Sequence, residues 1–325
     1  MTNIPITLTS ADYPHVMPLA TGAVRPDGID LTLLCGNHGS WPMRADMLNR
    51  AISDPTVQGG EASLAGHVRR IDQGDRSFVG IPAFILRNFT ARDLYVRKGG
   101  PVRAVADLAG KRVGMYSWTA SGSVWYRHFL RHIGVPLDSL RWWIGDIDGP
   151  TATPHGTPPP GVQLVPAGGI LSEMLIQGEI DVLYSPPRPR RYHPADGPIV
   201  RLVPDIRAAE RDYFQKTGCF PPQHLVILRR AVWALNPWIA RSLTDAFARC
   251  HDQFAATQRQ FPYASPWLDL DIEEGDALMG AGFRPHGLND HTRREIEAFC
   301  DQAHRAGLTR RRVGVDECFE EFLGS

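Results

Sequence analysis

The sequence is poor in lysine and in long hydrophobic segments. Only three of its 35 cationic residues are lysines, and 35 acidic residues balance them, so the formal net charge is zero. A neutral chain without a basic run lacks the attraction that proteins coating nucleic acid or an anionic membrane need. No stretch approaches the run of about 18 apolar residues that a membrane helix requires. We therefore expect neither nucleic acid nor membrane as a partner.

Cysteine is also scarce. The five cysteines are scattered and form no C-x-x-C pair, which argues against both a disulfide framework and a structural zinc site. Cys219 is either a reactive thiol or a buried one, and we expect the latter because free cysteine packs as a small hydrophobe. The N-terminal MTNIPITLTSADYPH has neither a basic n-region nor an apolar h-region. The sequence thus predicts a cytoplasmic protein.

The remaining composition is that of an ordinary globular protein. Hydrophobic residues make up 43% and charged residues 22% of the 325 residues, enough for a large core and two domains or lobes. The 32 arginines (35 − 3) have two explanations, a GC-rich genome or a set of carboxylate clamps. Both explanations stay open on composition alone.

Strand-like and helical segments alternate along the chain, which predicts an α/β fold. The most regular unit is a strand at Lys111–Met115, a polar loop at Tyr116–Ser123, a helix at Val124–Ile133 and a strand at Trp142–Gly145. Further strands are predicted at 4–9, 29–34, 78–84, 93–97, 180–185 and 200–204, and further helices at 41–52, 170–177, 208–216, 237–258 and 295–306. Residues 53–60 read as a polar turn, and the proline-rich 151–161 as an exposed loop, because proline breaks helices and ladders alike.

Longer motifs run through most of the chain in a fixed order. They are VRPDGIDL (24–31), FVGIPAFILRNF (78–89), DLAGKRVG (107–114), VWYR (124–127), LSEMLIQGEIDVL (171–183), RLVPD (201–205), TGCFPPQH (217–224), PWIARSL (237–243), PWL (266–268) and LMGAGF (278–283). In order and spacing, over roughly residues 5–320, they resemble the family of 4,5-dihydroxyphthalate decarboxylase. Members of that family resemble the two-lobed fold of type 2 periplasmic solute-binding proteins.

The resemblance implies an α/β, two-lobed type 2 periplasmic-binding-protein-like fold with a two-strand hinge. Lobe one would comprise residues 1–95 and 206–325, and lobe two residues 96–205, with the ligand cleft between the lobes. Clefts at lobe interfaces are where small-molecule sites usually lie.

The implied activity is the non-oxidative decarboxylation of a hydroxylated aromatic, phthalate-like acid. That reaction needs cations or donors that orient carboxylates, an acid for the ring carbon, a base for the phenol, and walls that exclude water. It requires no redox cofactor and no lysine Schiff base, so we expect no cofactor, although a divalent metal is not excluded. His128 and His132 are spaced for zinc but lack the glutamate of H-E-x-x-H, which favours a solvated helix face.

The family motifs also point to site residues. His224, which closes TGCFPPQH, is the expected acid/base because histidine exchanges protons near neutral pH. Glu61 in GGEASL would take the phenolic proton or hold an imidazole, or else cap a helix. Arg87 matches the arginine of the family's P-S-R-x-F stretch and would clamp a carboxylate bidentately, or else form an interlobe salt bridge.

A second group lies around the predicted helix at 124–133. Ser117, Ser121 and Ser123 precede or open that helix, where backbone N–H groups bind anions. The alternative is plain N-capping by Ser121 or Ser123. Arg127 follows in VWYR and would reach the same anion, or else a surface carboxylate.

Three positions depart from the family pattern. His15 stands in Tyr-Pro-His where the family has Y-D-R, and His286 stands in Pro-His-Gly where it has P-Y-G. Thr90-Ala91 replaces an arginine and a histidine. His15 and His286 are therefore candidate substrate-binding residues, and the exact substrate is open.

Other functions stay open as well. The main alternative is a solute-binding protein for a small aromatic or organic anion, without catalysis, since the same fold mostly serves transport. A further alternative is a related task such as formation of a pyrimidine precursor. The expected partner is a small aromatic carboxylate substrate, and a homo-oligomer is left open. Fold alone does not choose among these functions.

Overall fold

The computed structural model describes residues 3–36, 41–150, 158–260, 265–280 and 282–325, apart from the side chain of Trp41. The strands in chain order are β1 (Ile4–Ser10), β2 (Ile29–Cys35), β3 (Gly59–Ser63), β4 (Phe78–Arg87), β5 (Leu94–Arg97), β6 (Arg112–Met115), β7 (Arg141–Ile144), β8 (Gln163–Leu164), β9 (Val182–Tyr184), β10 (Ile199–Arg201) and β11 (Pro222–Arg229). The helices are α1 (Met17–Ala20), α2 (Trp41–Ser53), α3 (Leu64–Gln73), α4 (Ser121–His132), α5 (Leu171–Gln177), α6 (Ile206–Thr217), α7 (Arg230–Leu235), α8 (Ile239–Gln260), α9 (Leu268–Met279), α10 (Asp290–Arg305), α11 (Val315–Cys318) and α12 (Glu320–Leu323).

The chain forms two compact units. The first comprises Met1–Arg87, Pro222–Cys300 and Val313–Ser325, and the second Asn88–Pro221 and Asp301–Arg312. The sequence placed the boundaries after residues 95 and 205 instead. The bounds differ because α6 packs within the second unit, where Arg92 forms a bidentate ion pair with Glu210 and Phe89 contacts the Tyr213 ring.

The first unit is built on a five-stranded mixed sheet. Its strand order is β2-β1-β3-β11-β4, with β1 parallel to β2 and β3, and β11 antiparallel to β3 and β4. Alternating apolar residues of β1 face the core, where Ile6 and Leu8 are fully buried. This sheet carries three of the nine site residues proposed from the sequence, Glu61, Arg87 and His224, and His15 and His286 lie elsewhere in the same unit.

The second unit has a six-stranded sheet of order β10-β5-β9-β6-β7-β8. Strands β9, β6, β7 and β8 are parallel, whereas β5 is antiparallel to its neighbours β9 and β10. The predicted strand–loop–helix–strand unit is confirmed here as β6, α4 and β7. The helix begins at Ser121 rather than at residue 124, so two of the three serines lie in its first turn.

Several sequence expectations were wrong or incomplete. Residues 59–60 belong to β3 rather than to a turn, and β11, α3 and α9 were not predicted. Of the proposed loop at 151–161, residues 151–157 lie outside the described part of the chain. None of the five cysteines forms a disulfide, and Cys219 is buried, as the sequence predicts. No helix among the described residues is long and apolar enough to cross a membrane.

Two glycines allow β3 to enter the middle of the first sheet. A Cβ on Gly60 (φ 151°) would lie 2.4 Å from the carbonyl oxygen of Thr9, and one on Gly59 (φ 156°) 2.0 Å from that of Ile227. Both backbone conformations are ones that only glycine adopts without strain. Strand β3 can therefore lie between β1 and β11 only because the two residues before Glu61 are glycines.

We expect Gly60→Ala to destabilise the protein by about 2 kcal/mol or more, because overpacking and backbone strain add. Urea denaturation would measure the change in the free energy of unfolding. The control is Gly275→Ala in α9, whose Cβ meets nothing within 4 Å. That change should be neutral or stabilising by less than about 1 kcal/mol. Equal effects of the two substitutions would contradict the packing argument.

Candidate functional site

The centre of the site in the first unit is a buried carboxylate bonded to a histidine. Glu61 lies on β3 with 1% of its surface exposed. Its Oε1 accepts a hydrogen bond from Nδ1 of His224 on β11, at 2.5 Å. Glu61 pairs directly with Val226, so His224, two positions along, is its diagonal neighbour on the same face. Strand pairing thus joins two residues that are 163 positions apart in the chain.

Three further groups complete the surroundings of Glu61. The N–H of Ala11 donates to Oε2 at 2.8 Å, and the hydroxyl of Tyr13 donates to Oε1 at 2.7 Å. Nη2 of Arg44, on α2, lies 3.7 Å from Oε1. The Arg44 guanidinium also lies 5.5 Å above the Tyr13 ring. The carboxylate therefore has donors on both oxygens and a cation beside it.

These contacts decide the protonation of Glu61. Burial alone would raise the pKa of its carboxyl, but the hydrogen bond and charge of His224, the charge of Arg44 and the Ala11 N–H lower that pKa to about 2. Glu61 is thus ionised at neutral pH. It is not the helix cap considered as an alternative, because Ser63 caps α3 by accepting the N–H of Gly66.

His224 is held in one tautomer. Its Nδ1–H donates to Glu61, so in the neutral ring Nε2 carries the lone pair. Burial lowers the pKa of His224, and the bond and charge of Glu61 offset this only in part. The side chain is 13% exposed, and Nε2 has no hydrogen-bond partner among the described residues. The arrangement leaves a neutral imidazole whose Nε2 is available to exchange a proton.

His15 and His286 lie along the adjacent strand β4. Nε2 of His15 is 2.9 Å from the carbonyl oxygen of Ile85, and its ring stacks on Tyr13 at 5.5 Å between centroids. Nδ1 of His286 accepts the N–H of Phe84 at 3.1 Å. Burial lowers the pKa of both histidines, so both are neutral near pH 7. Tyr13 therefore links His15 to the Glu61–His224 pair, whereas His286 is bonded to the backbone.

Arg87 is already engaged within the first unit. Its Nη1 donates to Glu295 at 2.7 Å, and its Nη2 donates to the carbonyl of Pro285 at 2.7 Å. Both side chains are buried, with 5% and 0% exposed. The salt bridge considered as the alternative for Arg87 is present, but its partner Glu295 belongs to the same unit. Binding a substrate carboxylate at Arg87 would compete with Glu295.

Sequence reasoning missed Arg44 and Tyr13. Helix α2 was predicted, but periodicity does not say which of its polar residues turns toward β3. Tyr13 was noted only as part of a departure from the family pattern. The one signal present was the run of polar residues just beyond β1, where the carboxyl ends of parallel strands gather ligand-binding groups.

The remaining candidates lie in the second unit. Ser117, Ser121 and Ser123 are all buried, at the end of β6 and in the first turn of α4. The N-cap of α4 is Ala120, with no side-chain cap, so neither serine performs the N-capping considered above. The hydroxyl of Ser123 is buried without a hydrogen-bond partner among the described residues. These features are typical of an anion-binding helix N-terminus.

Arg127 points elsewhere in the same unit. Its Nη2 donates to the carbonyl of Trp118 at 3.0 Å, and its guanidinium lies 4.0 Å above the Trp118 ring. It borders a groove to which none of the three serines contributes. In the structure Arg127 is therefore engaged by Trp118 and lines a groove that the three serines do not line.

No arrangement for a metal ion is present in the described ranges, where no three His, Cys, Asp or Glu residues cluster suitably. His128 and His132 are each engaged separately. Nδ1 of His128 is 2.8 Å from the hydroxyl of Tyr213, and Nε2 of His132 is 3.2 Å from Asp212.

Comparison with curated proteins confirms the resemblance noted in the sequence. The chain is 26% identical over 329 aligned residues to a 4,5-dihydroxyphthalate decarboxylase of Comamonas testosteroni, covering 98% of this chain and 97% of that protein. A protein of the same name from Pseudomonas putida is 24% identical over 225 residues, covering 66% of this chain and 83% of that protein. No family model matches the chain.

Solved structures confirm the fold. The periplasmic aliphatic sulphonate-binding protein of Escherichia coli aligns over the whole of both chains with a TM-score of 0.55 and 13% identity. The alkanesulfonate-binding protein of Xanthomonas axonopodis, bound to MOPS, aligns over 98% of each chain with a TM-score of 0.50 and 14% identity. The α/β fold of periplasmic binding proteins expected from the sequence is thus confirmed.

The depressed pKa of Glu61 predicts how stability depends on pH. The folded pKa of about 2 lies below the ordinary 4.5, so the stabilisation is complete above pH 4.5 and disappears as the pH falls toward 2. The stability gap between wild type and Glu61→Gln should therefore shrink by up to about 3 kcal/mol over that window.

Urea unfolding of both proteins from pH 7 down to pH 2.5 would measure this gap. Glu297→Gln, at an exposed position of α10, is the control and should keep a constant gap. A gap for Glu61→Gln that does not change with pH would show that Glu61 is not ionised in the folded protein.

Proposed function

We propose that this protein is a decarboxylase of a hydroxylated aromatic, phthalate-like carboxylic acid. The observation that carries the proposal is the Glu61–His224 pair, whose free imidazole nitrogen is partly exposed beside a cation. Its second support is the similarity to two proteins named 4,5-dihydroxyphthalate decarboxylase, one of them along almost the entire chain.

His224 would serve as a proton shuttle. Neutral Nε2 takes the proton of a ring hydroxyl ortho or para to the leaving carboxylate, and the resulting oxyanion raises the electron density of the ring. The imidazolium then protonates the ring carbon that bears the carboxylate. Cleavage of the carbon–carbon bond releases CO2 and leaves the electron pair in the ring as a phenolate. Glu61, held ionised, stabilises the imidazolium in between.

Arg44 would be the cation that meets a substrate carboxylate. Its side chain is 16% exposed and lies beside the catalytic pair, Nη2 being 3.4 Å from Nδ1 of His224. Arg87, engaged with Glu295, would act as a positioning residue for the histidines near it. His15 and His286 would shape the substrate pocket as neutral rings. In the second unit, Ser117, Ser121 and Ser123 remain proposed carboxylate ligands through α4.

A second candidate is a solute-binding protein for a small organic anion. The likeness of the fold to two sulphonate-binding proteins favours it. This candidate requires binding without turnover, and it gives no chemical role to the buried, ionised Glu61.

The test is incubation with 4,5-dihydroxyphthalate and a panel of hydroxybenzoates, followed by CO2 release and ultraviolet absorbance. His224→Ala should lower kcat by about 10²–10⁴-fold while Kd changes by only a few fold. The exposed His193→Ala is the control and should retain full activity.

The other outcomes are equally informative. Ligand-induced thermal stabilisation without turnover across the panel would favour the solute-binding protein. Activity should survive chelation, since the proposed steps use no metal. Loss on chelation and recovery with a divalent ion would overturn that expectation.

Arg44→Gln tests the electrostatics of the pair. A neutral His224 is required as base, so kcat/KM should fall at acidic pH. This acidic limb of the pH profile should lie below pH 6.5, because burial lowers the pKa of His224. The charge of Arg44 contributes to that lowering, so its removal should move the limb to higher pH and raise KM. The pH profile of Arg294→Gln, an exposed control on α10, should match wild type. If the acidic limb of Arg44→Gln lies at the same pH as that of wild type, the charge of Arg44 does not influence the base His224.

A further inference from the structure

The second unit contains a buried arginine without a carboxylate partner. Arg127 has 2% of its surface exposed. Its polar contacts are the Trp118 carbonyl at 3.0 Å and the Met115 sulfur at 3.7 Å. Its Nε is buried without a hydrogen-bond partner, and no carboxylate of the described residues lies within ion-pair distance of it. A buried cation without an anion is strongly destabilising, so an anion bound beside Arg127 would be favourable.

Arg127 borders a groove large enough for a small molecule. The groove has a volume of about 960 Å³, within the range of ligand pockets. It lies between the C-terminal part of α4, residues 159–162 and residues 302–307, all within the second unit. The groove is therefore distinct in its residues from the Glu61–His224 pair.

The charges around the groove favour an anion. Arg131 and Arg305 line it together with Arg127, against Asp138 in the lining. Asp301 is shared by the two outer arginines, at 3.9 Å from Arg131 and 2.7 Å from Arg305. These three cations outnumber the two carboxylates, so the groove has an excess of positive charge that a bound anion would offset.

The groove also has flat apolar surfaces. Trp118 and Trp142 line it with the small exposed parts of their rings, 6% and 7% of each residue, and meet edge to face with centroids 5.6 Å apart. Pro136, Pro159 and Pro160 provide further apolar lining. Aromatic and proline surfaces pack well against a planar ring, and an arginine fork binds a carboxylate bidentately.

We propose that this groove is a binding site for a small planar aromatic monocarboxylate, with Arg127 as the cation that receives the carboxylate. The ring would pack against the tryptophan and proline surfaces, and Arg131 and Arg305 would attract the anion at the rim. The site stands independently of the decarboxylase activity proposed above, since it rests on none of the same residues.

The probe is benzoate, measured by calorimetry and by the shift in the thermal unfolding midpoint. Cyclohexanecarboxylate has the same charge without the planar ring, and benzyl alcohol has the ring without the charge. The double variant Arg44→Gln/His224→Ala serves as the background, so that binding at the Glu61–His224 pair does not contribute. In that background benzoate should bind at one equivalent, more tightly than cyclohexanecarboxylate, and benzyl alcohol should not bind.

Arg127→Met in the same background should weaken benzoate binding at least tenfold, as loss of a charge-assisted hydrogen bond implies. It should change the unfolding midpoint of the ligand-free protein only slightly, because the loss of the bond to the Trp118 carbonyl and of the stacking on Trp118 is offset by removal of a buried charge without a carboxylate partner. Unchanged benzoate affinity in Arg127→Met, or no benzoate binding at about 10 mM in the background protein, would overturn the proposal.

A second variant keeps the test decisive if Arg127→Met does not fold. Arg131 and Arg305 are partly exposed, with 39% and 56% of their side chains accessible, so the double change to Gln leaves the core intact. It should weaken benzoate binding several-fold and reduce the dependence of affinity on salt. An affinity and salt dependence equal to those of the background would contradict a cationic groove.

Discussion

The first unit depends on keeping Glu61 ionised in a place that water does not reach. A buried carboxylate is costly unless its oxygens are satisfied. Here one oxygen accepts a hydrogen bond from the Ala11 N–H. The other accepts hydrogen bonds from the Tyr13 hydroxyl and the His224 Nδ1–H, with Arg44 nearby. These donors come from the end of β1, from α2 and from β11. The ionised state of Glu61 therefore depends on β3 lying between β1 and β11, which brings these donors to its carboxylate.

The hydrogen bond to Glu61 also decides which ring nitrogen of His224 can exchange a proton. Because Nδ1–H is bonded to Glu61, the two ring nitrogens are no longer equivalent, and only Nε2 exchanges a proton. Burial keeps the ring neutral, while Glu61 stabilises the charged form that a proton transfer creates. Gly59 and Gly60 make this hydrogen bond possible, because without side chains they let β3 lie against both β1 and β11.

The arginines of this chain separate into physically different groups. Arg87, Arg92 and Arg112 are paired with Glu295, Glu210 and Asp181 and thereby tie elements together. Arg44 lies at the Glu61–His224 pair with part of its side chain exposed. Arg127 is buried without a carboxylate of the described residues. Composition alone shows an excess of guanidinium groups, whereas the pairing of each decides whether it stabilises the fold or attracts an anion.

The sequence by itself determined the α/β class, most of the described strands and half of the described helices, the resemblance to dihydroxyphthalate decarboxylases, and His224 and Glu61 as candidates. These follow from local periodicity and from motifs that are read along the chain. Only the tertiary structure decided that the two residues are hydrogen-bonded, that Arg44 and Tyr13 join them, and that Arg87 is occupied by Glu295. It also decided that Arg127 borders a separate groove. The physical reason is that a side chain's partner is set by strand order and helix packing between segments as far apart as 163 positions, which no local pattern encodes.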